Sequence, residues 1–191
     1  MSEQELLIQL QKGDEAAFKT LVETYQKKVF NTVLTIVQNL EEAEDISQEV
    51  FMEVYQSVGK FRGESKIATW LYRIATMKAL EEIRKKKAKK RIAFFTNLFG
   101  EANEVLHEPV NFVHPGIIME QQENACTLFK AISLLSNNQK VAFTLSNIEG
   151  LNYHEISEVM QISLSSVESL LFRAKNNLRN SLRGFYKNNY Q

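Results

Sequence analysis

Ser165, Ser166, Glu168 and Ser169 crowd together directly after the run Gln161-Ile162-Ser163, and Arg173 and Lys175 follow one to two helical turns on. Hydroxyls and a carboxylate near the start of a helix can exchange hydrogen bonds with base edges. Cations further along can hold phosphates. The stretch Gly150 to Leu178 reads as a short helix, a tight turn and a second helix whose apolar face is Val167, Leu170, Leu171, Ala174 and Leu178. Ser163 can cap the second helix by accepting from an unpaired amide of its first turn. This is how a DNA-reading helix-turn-helix looks in sequence, with Arg173, Lys175 and Arg179 placed for phosphates. A helical hairpin with a solvated face is the plainer reading; the turn spacing, which sets the two axes steeply across one another, favours the reader.

A second set lies upstream. Thr69-Trp70-Leu71-Tyr72-Arg73 leads along one helix into RKKKAKKR, Arg84 to Arg91. Rings stack on unpaired bases while Lys and Arg hold phosphates, so the set suits single-stranded nucleic acid. The same residues also fit a core tryptophan followed by a solvated helix end, and composition leaves both open. A third set is acidic. In Asp45-Ile46-Ser47-Gln48-Glu49-Val50-Phe51 the apolar residues turn inward, and Asp45, Gln48, Glu49 and Gln56 can offer carboxylates and amides to an arginine-rich partner. An ordinary acidic solvated helix is the alternative.

Enzyme chemistry finds no support. His107-Glu108 begins a zinc-protease pattern, but Pro109 breaks the helix it needs and Asn111 stands at the second ligand position. His154-Glu155 ends in Glu158 rather than a second histidine. There is no glycine-rich phosphate loop and no nucleophile elbow. Cys126 is the only cysteine, which excludes an internal disulfide and a cysteine-based metal site. No cofactor, metal, catalytic residue or small-molecule substrate is expected.

These sets require helices to carry them. Of 191 residues, 44% are apolar, Gly and Pro are scarce, and the net charge is zero, so nucleic-acid binding must rest on local charge. An all-α fold of two small domains follows, residues 1–93 and 119–191, joined by a linker over 94–118 that holds both prolines, Pro109 and Pro115, with Gly100 and Gly116. Asp14 is placed to cap a helix running through Tyr25 toward Val37. The next helix starts near Glu41 with Ile46, Val50, Phe51, Val54, Tyr55 and Val58 inward, and a fourth starts near Ser65 or Ala68. In the C-terminal domain, helices are expected over Glu120 to Leu135, with Leu128, Ile132 and Leu135 aligned, and over Gln139 to Ile148. Phe94, Phe95 and Phe99 are positioned to pack between the domains and give a compact free form. The N-terminus has no signal-peptide pattern and no stretch is long enough to span a membrane, so a cytoplasmic protein without direct membrane insertion is expected.

The segments GDEAAFKTLVETYQKKVF, AEDISQEVFMEVYQSVGKFRG, KIATWLYRIATMKALEEIRKKKAKK and LSNNQKVAFTLSNIEGLNYHEISEVMQISLSSVESLLFRAKNNLR, in this order, closely resemble the extracytoplasmic-function (ECF) sigma factors, the two-domain initiation subunits of bacterial RNA polymerase. They cover nearly everything except the linker and termini. The resemblance implies that core RNA polymerase docks on Asp45, Gln48, Glu49 and Phe51. It implies that Phe61, Arg62, Lys66, Trp70, Arg73, Met77, Lys78, Arg84 and Lys85 face the −10 promoter element and help open it. It implies that Ser165, Ser166, Glu168, Ser169, Arg173 and Lys175 read the −35 element. Promoter DNA and core polymerase are the implied partners, and an anti-sigma factor is compatible with the linker and neutral charge.

The chain departs from the family pattern at Met77, Glu81, Glu168 and Leu170, with Glu81 standing where the family often has Asp. Met77 stands where the family often has Asn and cannot donate a hydrogen bond. Glu168 and Leu170 stand where cations are common, and Glu168 can accept from a cytosine amino group. A different −35 preference is expected. The alternative reading is a standalone helix-turn-helix regulator with an N-terminal sensor or dimerisation domain; the DISQEVF and TWLYRIA segments argue against it.

Overall fold

The computed structural model describes residues 2–99 and 119–189, with side chains over 2–92 and 125–183. Among them the chain is helical: α1 (Glu3–Gln11), α2 (Glu15–Val37), α3 (Leu40–Ser57), α4 (Ile67–Phe99), α5 (Met119–Ser133), α6 (Asn137–Phe143), α7 (Tyr153–Met160) and α8 (Leu164–Asn189). Short polar side chains start these helices. Ser2 and Glu5 form a reciprocal capping box on α1, Asp14 accepts from the Ala17 amide at α2, and Asn39 accepts from the Glu42 amide at α3.

α2, α3 and α4 pack on one another. Leu21, Val29, Val33 and Ile36 of α2, Val50 and Val54 of α3, and Leu71 and Ala75 of α4 are essentially inaccessible. Each fully buried Val, Leu or Ile contributes about 1.5–3 kcal/mol over its exposed state. The inward stripe expected of α3 is met at Ile46, Val50, Val54 and Val58, but Tyr55 is 55% exposed. The turn geometry explains it: Tyr55 lies one residue beyond Val54, about 100° around the helix from the buried line. Leu128 is likewise exposed, although Ile132 and Leu135 are buried as expected.

α4 runs on to Phe99, six residues into the stretch expected as linker, because no breaker intervenes before Gly100. The side chains of Phe94, Phe95 and Phe99, and the linker residues 100–118, lie outside the described residues.

The expected helix from Gln139 to Ile148 divides. α6 ends at Phe143 and a wide π-helical turn follows over Thr144–Ile148, closed by the Glu149 amide on the Thr144 carbonyl at 3.1 Å. α7 begins with a capping box between Asn152 and Glu155. It ends at Gln161, held left-handed at φ 54° with its amide on the Ser157 carbonyl. The Ser157 hydroxyl donates to the Ile162 carbonyl at 2.5 Å, so the tight turn is bonded from both sides. Val141, Leu145, Ile156, Val159, Val167 and Leu171 of this C-terminal unit share one apolar core with α2–α4.

Candidate nucleic-acid interface

α8 buries Val167, Leu171, Ala174 and Leu178 and turns Ser165, Ser166, Glu168, Ser169, Arg173 and Lys175 outward. The Ser163 hydroxyl accepts from the Ser166 amide at 3.2 Å and lies 3.0 and 2.8 Å from the Ser165 and Ser166 hydroxyls. One serine therefore both caps the helix and orders two hydroxyls at the N-terminal end of α8. The Arg173 Nε donates to the Ser169 carbonyl, which lays the guanidinium along the helix. One residue escaped the motif reading. Phe172 is 68% exposed, three and four positions from Ser169 and Glu168, so it shares their face. Its position opposite the apolar stripe was the available signal.

The upstream set converges only in part. Phe61 and Trp70 stack, ring centroids 4.5 Å apart and planes 12° apart. With Lys60, Arg62, Arg73 and Met77 they line a groove of about 760 Å³. Met77 is 56% exposed there, an accessible thioether without a donor. Arg62 pairs with Glu64 at 3.6 Å, both largely exposed. Lys78, Arg84 and Lys85 are not part of this groove. Lys78 turns to α3, 3.0 Å from Glu53 and 3.4 Å from Glu49. Burial alone would lower its pKa, but the hydrogen bonds and charges of Glu53 and Glu49 outweigh burial and raise it. Arg84 is exposed further along α4, and Lys85 pairs with Glu81 one turn back at 3.2 Å.

Lys66 stands at the entrance to α4 and is bonded to Glu155 of α7, Nζ to Oε1 2.7 Å. The hydrogen bond to Glu155 raises the Lys66 pKa. The bond from Lys66, then the Asn152 amide, holds the Glu155 carboxyl below the ordinary range.

On α3, Asp45, Gln48 and Glu49 are exposed and Phe51 is half-buried. Gln48 and Phe51 border an apolar groove of about 770 Å³ between α2 and α3, with Phe18, Phe30, Met52 and Tyr55 in its walls. Met52 is 56% exposed, and Tyr55 meets Phe18 edge to face at 5.0 Å. Sequence reading found the acidic rim of this face and missed its apolar floor.

Among the described residues no histidine, cysteine or carboxylate cluster could hold a metal, and no helix is long and apolar enough to cross a membrane. Residues 21–89 match Sigma-70 region 2 and residues 127–178 match Sigma-70 region 4. The chain is similar to the RNA polymerase sigma-H factor of Pseudomonas aeruginosa, 34% identical over 91% of this chain and 90% of that one. It is similar to the ECF RNA polymerase sigma-E factor of Escherichia coli, 33% identical over 95% of each. Its fold matches the solved structure of CnrH in complex with the cytosolic domain of CnrY, TM-score 0.69 at 17% identity, covering 95% of this chain and 97% of that one.

Proposed function

The chain belongs to the ECF sigma factors of bacterial RNA polymerase, and we propose that its residues divide the work of promoter recognition among three faces. Asp45, Gln48 and Glu49, with Phe51 and the apolar groove behind them, receive core polymerase. Carboxylates at the rim steer a basic partner and the apolar floor supplies buried area. The groove of Phe61, Arg62, Trp70, Arg73 and Met77 receives the opened −10 strand, one aromatic face for a base and guanidiniums for phosphates. Lys66 and Arg84 extend the cationic track; Lys78, held against α3, fixes α4 relative to the polymerase-facing helix, and Lys85 adds charge beyond it. Ser165, Ser166, Glu168 and Ser169 read the −35 element in the major groove, while Arg173 and Lys175 hold its backbone. The chain brings recognition and strand opening, and polymerase brings the nucleotidyl-transfer chemistry, so no catalytic residue is assigned and the site of action is the cytoplasm. An anti-sigma factor is a fitting regulator, as in the solved complex of the sigma factor RpoE with the anti-sigma factor NepR from Bartonella quintana.

The observation that carries this reading is the match to both sigma regions in order within one chain, which aligns over 95% of its length with the Escherichia coli sigma-E factor. It also removes the reason for a standalone regulator, whose N-terminal domain would not be a region 2. The test is transcription from fragmented genomic DNA by purified core polymerase with and without the protein. Defined start sites that require the protein are expected. Absence of such starts together with failure to co-elute with core would overturn the reading.

A further inference from the structure

The loop that carries Phe61 and Arg62 takes its shape from another helix. Residues 61–66 run from the turn Val58–Lys60 to α4 without helical structure. The Phe61 amide closes the preceding turn on the Val58 carbonyl at 3.1 Å, and Arg62 meets Glu64 in an exposed pair of the kind that contributes little. Lys66 directly precedes α4, and an ammonium has no lone pair with which to cap a helix. Yet Phe61 must lie on Trp70, ring centroids 4.5 Å apart, for the groove to keep its aromatic wall. A loop that must be ordered each time a strand binds subtracts that ordering from the affinity.

α1 supplies the order. Glu3, Leu7 and Gln11 are spaced by four, so they line one side of α1 over about 12 Å. Gln11 donates from Nε2 to the Phe61 carbonyl at 2.7 Å, where the loop begins. Leu7 lies against Gly63, which is held left-handed at φ 71°; a Cβ on Gly63 would come 3.1 Å from Leu7 Cδ2. Glu3 accepts from the Ile67 amide at 2.6 Å, where the loop ends. That bond satisfies one of the unpaired amides in the first turn of α4 and sets a carboxylate at the positive end of the helix. One helix therefore touches the start, the middle and the end of the loop. α1 is itself fixed: Ser2 and Glu5 cap it, Leu10 is buried, and it packs on α2 and on the turn Val58–Lys60. Glu3 and Gln11 are exposed, so neither adds to the core, and neither lines the strand groove.

We propose that α1 is the brace of strand capture: Gln11 on the Phe61 carbonyl, Leu7 against Gly63 and Glu3 on the Ile67 amide hold the loop in the shape that keeps Phe61 on Trp70, which sets the groove ready for an unstacked base of the −10 element. Glu3 and Gln11 are positioning residues that act through the loop. Arg62 follows the anchored Phe61 carbonyl directly, so the same bond fixes where its side chain starts. The proposal rests on reading that groove as the site of the opened −10 strand.

The test uses the full chain with neutral side chains of matched length. Gln11→Met removes the donor. Glu3→Met removes the acceptor, whereas Glu3→Gln loses the charge but keeps an oxygen that can accept from the Ile67 amide. Trp70 is the only tryptophan, so its fluorescence reports the stack directly. Gln11→Met and Glu3→Met should each increase acrylamide quenching of Trp70 with helix content unchanged, and Glu3→Gln should stay near wild type. With core polymerase on a mapped promoter, the rate at which −10 thymines become permanganate-reactive should fall roughly 2- to 12-fold in each Met variant, the fold-change equal to one net hydrogen bond. Co-elution with core and −35-dependent occupancy should be unchanged, because α3 and α8 are untouched. If a Met variant loses helix content, the Ala variant at that position is read in its place by the same criteria. Unchanged quenching in both Met variants, quenching that rises while opening keeps its wild-type rate, or a Glu3→Gln defect as large as that of Glu3→Met overturns the proposal. So does slow opening that comes only with loss of core binding. If wild type itself opens no promoter, the strand-capture reading falls, while the quenching result still decides whether α1 holds the loop.

Discussion

The Lys78 ammonium lies 3.0 Å from a carboxylate oxygen of Glu53, with Glu49 at 3.4 Å, so the helix that carries Trp70 is tied to the helix that carries the acidic face of Asp45 and Glu49. The Lys78 side chain is only 22% exposed. A double-mutant cycle of Lys78→Gln and Glu53→Gln in chemical denaturation should show a coupling of about 0.5–1 kcal/mol, the upper part of the range for such pairs. The salt dependence of −10 strand binding should hardly change in Lys78→Gln, whereas Arg62→Ala or Arg73→Ala should reduce its slope by about 0.7, one phosphate each. A slope change in Lys78→Gln equal to that in Arg73→Ala would place Lys78 on the strand instead.

Glu168 and Phe172 share the outward face of α8. An acid at this face accepts hydrogen bonds and repels phosphate, so Glu168→Lys should change which −35 sequences are preferred. Binding to a −35 library read by sequencing tests this; equal strengthening on every sequence would sink it. Phe172 offers only apolar contact, which suits a thymine methyl. Phe172→Ala should weaken discrimination at one or two thymine positions by about 1 kcal/mol, the low end for a specific base contact, and leave the salt slope unchanged.

Acid should part α7 from the start of α4, where Glu155 meets Lys66. Lys66, and secondarily the Asn152 amide, hold the Glu155 carboxyl below its ordinary 4.5. Lys66 is lost on opening, so the open state binds a proton more readily than the closed one. Closure is then fully supported above the ordinary carboxyl value and is lost as pH falls through the depressed one. Lys66 is raised by the same contact, with Glu3 adding to it, so it loosens the contact only at strongly alkaline pH. Scattering between about pH 6 and pH 3 should show expansion before helix content falls, and Glu155→Gln should remove that early phase. Coincident loss of helix and compactness in both proteins would contradict it.

The apolar periodicities made the α3 core and the α8 stripe legible, because Val50, Val54, Val167 and Leu171 repeat at helical spacing. The caps at Asp14 and Ser163 were legible from residue type. The bonds that Glu149 accepts from Thr32 and Tyr72 were not. Glu149, Thr32 and Tyr72 lie 77 and 117 positions apart from partner to partner, and nothing local marks a carboxylate that will meet two hydroxyls across a domain boundary. Tyr72 sat inside a segment read for its bases-and-phosphates chemistry, while its hydroxyl serves the other domain. Lys66 was assigned to DNA from the family resemblance, and only the fold shows that Glu155 already holds it. The π-helical turn escaped because the residues Thr144 to Ile148 differ little from those of an ordinary helix.

Trp70 presents one ring face to Phe61 and so has at most one face left for a base. If that face takes an unstacked base of the −10 strand, Trp70→Ala should cost about 1–3 kcal/mol of single-strand binding, the usual worth of one base on one ring. Phe61→Leu keeps the apolar backing but loses ring-on-ring geometry, worth about 0.5–1.5 kcal/mol, so it should impair opening less than Trp70→Ala. Permanganate reactivity of thymines in the complex with core polymerase separates these effects from promoter binding. Trp70→Ala should reduce reactivity while −35-dependent occupancy persists, because α8 is untouched. Phe61→Leu should fall between Trp70→Ala and wild type. If Phe61→Leu is the more damaging of the two, then Phe61 rather than Trp70 carries the base, and the stack works with its roles exchanged.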